Sequence, residues 1–146
     1  MEFSVERLEH IITKLREKEY RITPQRIAIL KILAESRNHP TVEWIHGRVK
    51  VDFPTTSLAT VYKTVSLAKE LGEVMELGFC DGSNRYDGNN PNPHPHLICT
   101  QCKKILDPDL ETLGRMTQEV ANDTGFRNIT HRLDFFGTCP DCQKNK

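Results

Sequence analysis

No stretch of this 146-residue chain approaches the roughly 20 consecutive apolar residues that a membrane-spanning helix needs, so no helical span is expected. Net charge is missing as well: 20 basic and 20 acidic side chains cancel, and bulk composition gives no sign of a polyanionic partner. The start Met-Glu-Phe-Ser lacks the basic and apolar regions of a secretory signal, which leads us to expect a cytoplasmic protein. Repeats and low-complexity segments are absent. Cysteine is sparse, with five residues, yet four of them fall in two Cys-x-x-Cys pairs. In a reducing compartment that pattern argues for metal thiolates rather than disulfides. The length permits one ordinary domain or two small ones, and two small ones need stabilisation beyond an apolar core.

Locally the charge is uneven. Lys14, Arg16, Lys18, Arg21, Arg26 and Lys31 are opposed only by Glu17 and Glu19, a basic stretch that suits either nucleic acid or a solvated helix face. Val5, Leu8, Ile12 and Leu15 recur at helical steps and predict a first helix buried along that stripe. Thr23-Pro24 reads as an N-cap followed by proline at the first helical position, where its missing N–H costs nothing. The second helix then runs to about Ser36 with Ile29, Leu30 and Leu33 inward. His39-Pro40-Thr41 interrupts the chain, because a residue before proline is pushed out of the helical region, and a short third helix carries Val42, Ile45 and Val49.

A Thr/Ser cluster at 55–57 caps a fourth helix with Leu58, Val61, Val65, Ala68 and Leu71 inward and Gly72 as its stop. Ala59, Thr60 and Lys63 face away from that stripe, with Tyr62 on its shoulder. Alternating segments from Val74 to Phe79 and from Arg85 to Asp87 flank an Asp81-Gly82 turn; helices followed by such a hairpin predict a winged helix-turn-helix. Gly88 to Pro95, rich in proline and asparagine, reads as a loop. Beyond it lie strands at His96 to Cys99 and Lys103 to Leu106, a helix at about Leu110 to Asn122 with Leu113, Met116 and Val120 inward, and a last strand at Asn128 to Phe136. The predicted class is α+β: a winged-helix domain over 1–83, a hinge over 84–95, and a small α/β domain over 96–146.

The pairs Cys99-x-x-Cys102 and Cys139-x-x-Cys142 each have the bite that places two sulfurs on one tetrahedral ion. Four thiolates leave no open position, so a shared Zn²⁺ there would be structural. Cys80 remains over and reads as a small buried hydrophobe. A second, harder donor set comes from His94-Pro95-His96, Asp87 and Asp107, with His39 as a candidate fifth ligand from the other domain; it suits Fe²⁺, Mn²⁺ or Zn²⁺. If His39 joins, metal binding fixes the angle between the two halves and becomes a switch. Singly, each of these residues is also explained as a cap or loop polarity. His10 and His46 read as surface, and His131 as a hydrogen-bonded histidine of the last strand. A metallohydrolase built on His94, His96 and Asp107 is the enzymatic rival, but no nucleophile or general base stands beside them.

Ile22-Thr23-Pro24-Gln25-Arg26, His39-Pro40-Thr41, Ala59-Thr60-Val61-Tyr62, His94-x-His96-Leu97-Ile98-Cys99-x-x-Cys102 and Cys139-x-x-Cys142 together resemble the ferric uptake regulator family over nearly the whole chain. The resemblance implies a transcriptional repressor rather than an enzyme. It also implies a homodimer, joined through the C-terminal domain, on an AT-rich palindromic operator of double-stranded DNA, with the fourth helix in the major groove. It gives Tyr62 a thymine methyl and Lys63 a phosphate or base acceptor, with Ala59, Thr60, Arg21, Gln25 and Arg26 completing the DNA-binding set.

His39, Asp87, His94, His96 and Asp107 fall on the five ligand positions of the peroxide-sensing, PerR-type members, in which Fe²⁺ or Mn²⁺ occupies the site. The aspartate at 107 separates them from iron-sensing relatives, which tend to carry glutamate. The implied mechanism is oxidation of a ligand histidine, with His39 and His94 as targets, followed by release of metal and DNA. A repressor that reads iron or zinc supply and ignores peroxide is the alternative. Pro93 and Pro95 depart from the family's usual segment and stiffen the loop before His96.

Overall fold

The computed structural model describes residues 2–78, 84–92 and 94–144, with side chains from Ser4 onward. Phe79, Cys80, the Asp81-Gly82 turn and Pro93 lie outside the described residues, and with them the role expected for Cys80. The chain divides into two compact units, Met1–Asn92 and Pro93–Lys146. None of its described helices is long and apolar enough to cross a membrane.

The first unit is a winged helix-turn-helix. Four helices, α1 (Glu2–Glu17), α2 (Pro24–Glu35), α3 (Val42–Asp52) and α4 (Leu58–Glu70), are followed by strands β1 (Met75–Leu77) and β2 (Arg85–Asp87). Three of the helices start on the side-chain caps expected of Thr and Ser: Thr23, Thr41 and Ser57 accept the N–H groups of Arg26, Trp44 and Thr60 at 3.2, 3.1 and 3.1 Å. Ile29, Leu30, Leu33, Ile45, Val49, Val61 and Val65 from α2 to α4 meet Ile11 and Leu15 of α1 in one core. The α1 stripe is therefore rotated from the expected one, with Val5 54% exposed and Ile11 fully buried. Thr64 joins the buried side of α4 because its hydroxyl donates to the Thr60 carbonyl at 2.9 Å. The wing strands pair antiparallel, Glu76 opposite Tyr86.

In the second unit β3 (His96–Cys99) lies between β4 (Ile105–Leu106), antiparallel to it, and β5 (Asp134–Gly137), parallel to it. Between β4 and β5 runs α5 (Thr112–Thr124), ended by Gly125 in the left-handed conformation at φ 73°. The expected inward stripe of α5 is corrected: Met116 and Val120 are 56% and 48% exposed, and no α5 residue is buried. Amphipathic spacing shows which face is apolar, and in this single chain that face is left uncovered. The last strand begins at Asp134 rather than Asn128, and Asn128 itself takes φ 55°, which a strand excludes. A short helix α6 (Pro140–Lys144) closes the unit.

Candidate metal centres

The thiolate set is assembled by strand register. Cys99 ends β3 opposite Gly137 of β5, so the pair that follows β5 arrives beside the pair that follows β3. Just after Cys102 the chain folds back through Lys103 at φ 65°, with the Lys103 N–H donating to the Cys99 carbonyl at 3.0 Å. The Sγ atoms of Cys99 and Cys142 are 3.8 Å apart, those of Cys102 and Cys139 3.7 Å, and all four lie within 4.8 Å of one another. Sulfurs held about 2.3 Å from a shared tetrahedral ion stand about 3.8 Å apart, whereas a disulfide needs about 2.05 Å. Backbone N–H groups of Cys102 and Cys139 draw the Cys99 thiol down to about 6, whereas the hydrogen bond with Cys139 pushes the Cys142 thiol up. The donor chemistry and spacing fit a closed, structural Zn²⁺.

In the first unit His39 lies buried at the break between α2 and α3, with a left-handed φ of 52° uncommon outside glycine. Strand β2 holds it there. Arg85 donates from Nε to the His39 carbonyl and from Nη2 to the Asn38 carbonyl, the latter at 2.5 Å, and the Tyr86 N–H donates to the Pro40 carbonyl at 3.0 Å. The next residue, Asp87, then sets its Oδ2 3.2 Å from His39 Nε2. Its Oδ1 accepts the N–H groups of Asn89 and Asn90 at 3.0 and 2.9 Å, which fixes the carboxylate. Gly88 lies against α2: a Cβ there would meet Leu33 Cβ at 2.8 Å, so the position demands glycine. Asn89 donates to the Ala34 carbonyl at 2.8 Å and Arg7 to the Gly88 carbonyl at 3.0 Å. Residues 84–92, read from the sequence as part of a hinge, are thus tied to α1 and α2.

In the second unit His94, His96 and Asp107 converge. His94 Nε2 is 3.5 Å from Asp107 Oδ2, His96 Nε2 is 3.8 Å from Asp107 Oδ1, and the two rings are 4.4 Å apart. Both imidazoles are largely buried. Nitrogen and oxygen donors at about 2.1 Å from one ion stand about 3 to 4.2 Å apart, so this trio fits a borderline or hard divalent cation, as does the His39–Asp87 pair. Asp134, which sequence reasoning passed over, faces the other nitrogen of His96, with Oδ1 3.4 Å from Nδ1. The only signal was its polar place at the head of a strand.

The expected nucleic-acid residues also meet. Arg21, Gln25, Arg26, Thr60 and Lys63 line one groove of the first unit together with Thr23, Thr55 and Thr56. Ala59 and Tyr62 are exposed on α4, Tyr62 at 45%. Two histidines read as partnerless surface groups have partners: His10 Nε2 is 3.1 Å from Glu73 Oε1, and His46 Nε2 is 2.8 Å from the Thr56 carbonyl. His131 is half-buried, and its Nε2 has no hydrogen-bond partner among the described residues.

Comparison with known proteins identifies the scaffold. The model of the Ferric uptake regulator family matches residues 17–136. A peroxide-responsive repressor, PerR, of Staphylococcus saprophyticus is 44% identical over 139 residues, spanning 93% of this chain and 91% of the relative. Among solved structures, the ferric uptake regulator of Helicobacter pylori superposes with a TM-score of 0.81 at 22% identity, covering 96% of this chain and 93% of that one. PerR of Streptococcus pyogenes, solved for its role in peroxide sensing and gene regulation, gives 0.53 at 32% identity, covering 93% and 92%.

Proposed function

Because this chain belongs to the ferric uptake regulator family, we propose that it is a metal-dependent transcriptional repressor that senses peroxide through the ligands of its second metal site. Two halves of a donor set carry the reading: His39 paired with Asp87 in the first unit, and His94, His96 and Asp107 gathered in the second. In the resemblance to PerR-type members these five nitrogen and oxygen residues take the positions that bind Fe²⁺ or Mn²⁺, and the similarity to peroxide-responsive repressors at 44% identity supports that choice.

Fe²⁺ held by these residues would activate hydrogen peroxide beside the imidazoles without being consumed in the net reaction. One of them, His39 or His94, would give up two electrons as a ring C–H bond becomes C–OH, with one oxygen from peroxide and the other leaving as water. The oxidised ring is a poorer donor, so the ligand set is broken and the metal-loaded conformation loses its support. The chain is spent in the process, which separates it from an enzyme. Mn²⁺ on the same ligands represses without that chemistry.

Family members act as DNA-binding dimers. Here α4 is the reading helix, with Ala59, Thr60, Tyr62 and Lys63 toward the bases, while Arg21, Gln25 and Arg26 in the adjoining groove meet phosphate. Each copy reads one half of an AT-rich palindrome in the cytoplasm. The partner surface is in the second unit, where Leu106, Leu97 and Phe135 form an exposed row across the sheet, 49%, 38% and 43% accessible. A second copy covers such a face.

The deciding experiment treats Fe²⁺-loaded protein with dilute peroxide and maps peptides by mass spectrometry. One added oxygen on the peptide bearing His39 or His94, with loss of operator binding and no change in the Mn²⁺ form, is expected. Unmodified peptides with DNA binding retained would instead make the protein a sensor of metal supply.

A further inference from the structure

We propose that Asp134 is the positioning residue that decides which ring nitrogen of His96 faces the metal. The inference rests on reading His94, His96 and Asp107 as ligands. In the parallel pairing of β3 and β5, His96 stands opposite Asp134, and the His96 N–H donates to the Leu133 carbonyl at 3.0 Å, so the two side chains are brought together by backbone register. His96 is 2% exposed and the Asp134 side chain 12%. The ring is placed between two carboxylates: Nδ1 lies 3.4 Å from Asp134 Oδ1, and Nε2 lies 3.8 Å from Asp107 Oδ1.

A neutral imidazole has one N–H and one lone pair, and a carboxylate only accepts. The ring must therefore present its N–H to one carboxylate and its lone pair toward the other side. Asp107 also faces Nε2 of His94, at 3.5 Å, so it shares the side on which both imidazoles converge. Asp134 faces Nδ1 alone. Arg132 Nε donates to Asp134 Oδ2 at 2.8 Å, which leaves Oδ1 turned to the ring. Asp134 is thus placed to accept from Nδ1–H, which leaves the Nε2 lone pair for the ion, the arrangement in which an outer carboxylate orients a metal-bound histidine.

The test titrates Mn²⁺ into the zinc-loaded, full-length protein and follows ¹⁵N-labelled histidine by NMR with Zn²⁺ in the second site. Asp134→Ala should lower Mn²⁺ affinity about 10- to 100-fold and give His96 a mixed tautomer, while the cysteine-bound zinc stays in place. Asp134→Asn, whose amide oxygen still accepts, should fall between, and Asp134→Glu should recover most of the affinity. Arg132→Ala, which removes only a largely exposed arginine from Oδ2 while strand register keeps Asp134 opposite His96, should stay within a few-fold of the parent. An Asp134→Ala protein with parental affinity and a single His96 tautomer overturns the proposal, as does an Arg132→Ala loss as large as that of Asp134→Ala. His96→Ala separates the two levels: if it keeps Mn²⁺ affinity, the ligand reading itself fails, whereas its loss beside an unaffected Asp134→Ala rejects the positioning role alone.

Discussion

Residues 2–92 bury a continuous set of aliphatic side chains drawn from all four helices, including Ile11, Leu15, Ile29, Leu33, Ile45 and Val61, whereas the apolar side chains buried among residues 94–144 are Ile98, Cys99 and Ile105. The second unit instead exposes Phe126 at 72%, Phe136 at 64% and Met116 at 56%. A unit this small cannot offset its loss of chain entropy with so little buried apolar surface. The contrast points to different sources of stability in the two halves: packing in the first, and in the second the proposed zinc on four sulfurs and the proposed surface of another copy.

Removing the zinc is the most severe way to test that contrast. Structural zinc binding is worth about 10–16 kcal/mol of apparent free energy, which in such a site is folding free energy. Chelation under reducing conditions, or Cys139→Ser, should abolish amide protection over residues 94–144 in hydrogen-exchange mass spectrometry and release monomers. Protection of the core helices of the first unit should persist. If residues 94–144 stay protected without zinc, their stability has another origin and the division fails.

A smaller effect is expected from the polar part of the first unit. Glu73 is buried, and its carboxylate accepts Arg7 Nη1 at 2.5 Å and pairs with Lys14, while Arg7 Nη2 donates to its carbonyl at 2.6 Å. Burial opposes the charge, but the bonds from Lys14 and Arg7 outweigh it and hold the carboxyl below its ordinary 4.5. Glu73→Gln should cost about 1.5–3 kcal/mol at neutral pH, because Arg7 keeps its charge and loses its partner. Lys14 and His10 are substantially exposed and add little. A depressed carboxyl stabilises the fold above its unfolded value, and that contribution is lost as the pH falls through the folded one. Urea midpoints for the parent and Glu73→Gln should therefore converge below pH 4.5. A gap independent of pH would remove the charge from the explanation.

The same division governs what could be read beforehand. Caps at Thr23 and Ser57, the breaks at Pro40 and Gly72, and the paired cysteines are local signals, and each falls where local chemistry requires. Fold class followed from them. Missed features depend on partners distant in the chain. Asp134 matters because a parallel strand sets it opposite His96, and Gly88 because α2 lies against it. Periodicity did not distinguish Ile11 from Ile12 as the centre of the α1 face, since both share the spacing. Nor did it reveal that Met116 and Val120 stand exposed rather than inward. The proposed ligand residues could be picked out by type, but the hold of Arg85 on the His39 carbonyl depends on a wing strand 46 residues away.

The smallest effect on stability should come from Tyr62, and there the first unit separates folding from recognition. Its side chain stands 45% exposed on α4, while Val61 and Val65 of the same helix are buried in the core. Tyr62→Ala leaves that buried stripe untouched, so the unfolding midpoint should move by no more than about 0.5 kcal/mol in equivalent free energy. On the proposed reading the ring contacts a thymine methyl on DNA, and losing it should weaken specific binding by about 1–2 kcal/mol while non-specific binding, carried by Arg21 and Arg26 against phosphate, changes little. Fluorescence anisotropy with operator and scrambled duplexes at a fixed salt concentration reads both terms. A uniform loss on both duplexes would move Tyr62 to the backbone-contacting set, and unchanged affinity on both would place the reading surface on another face of the first unit.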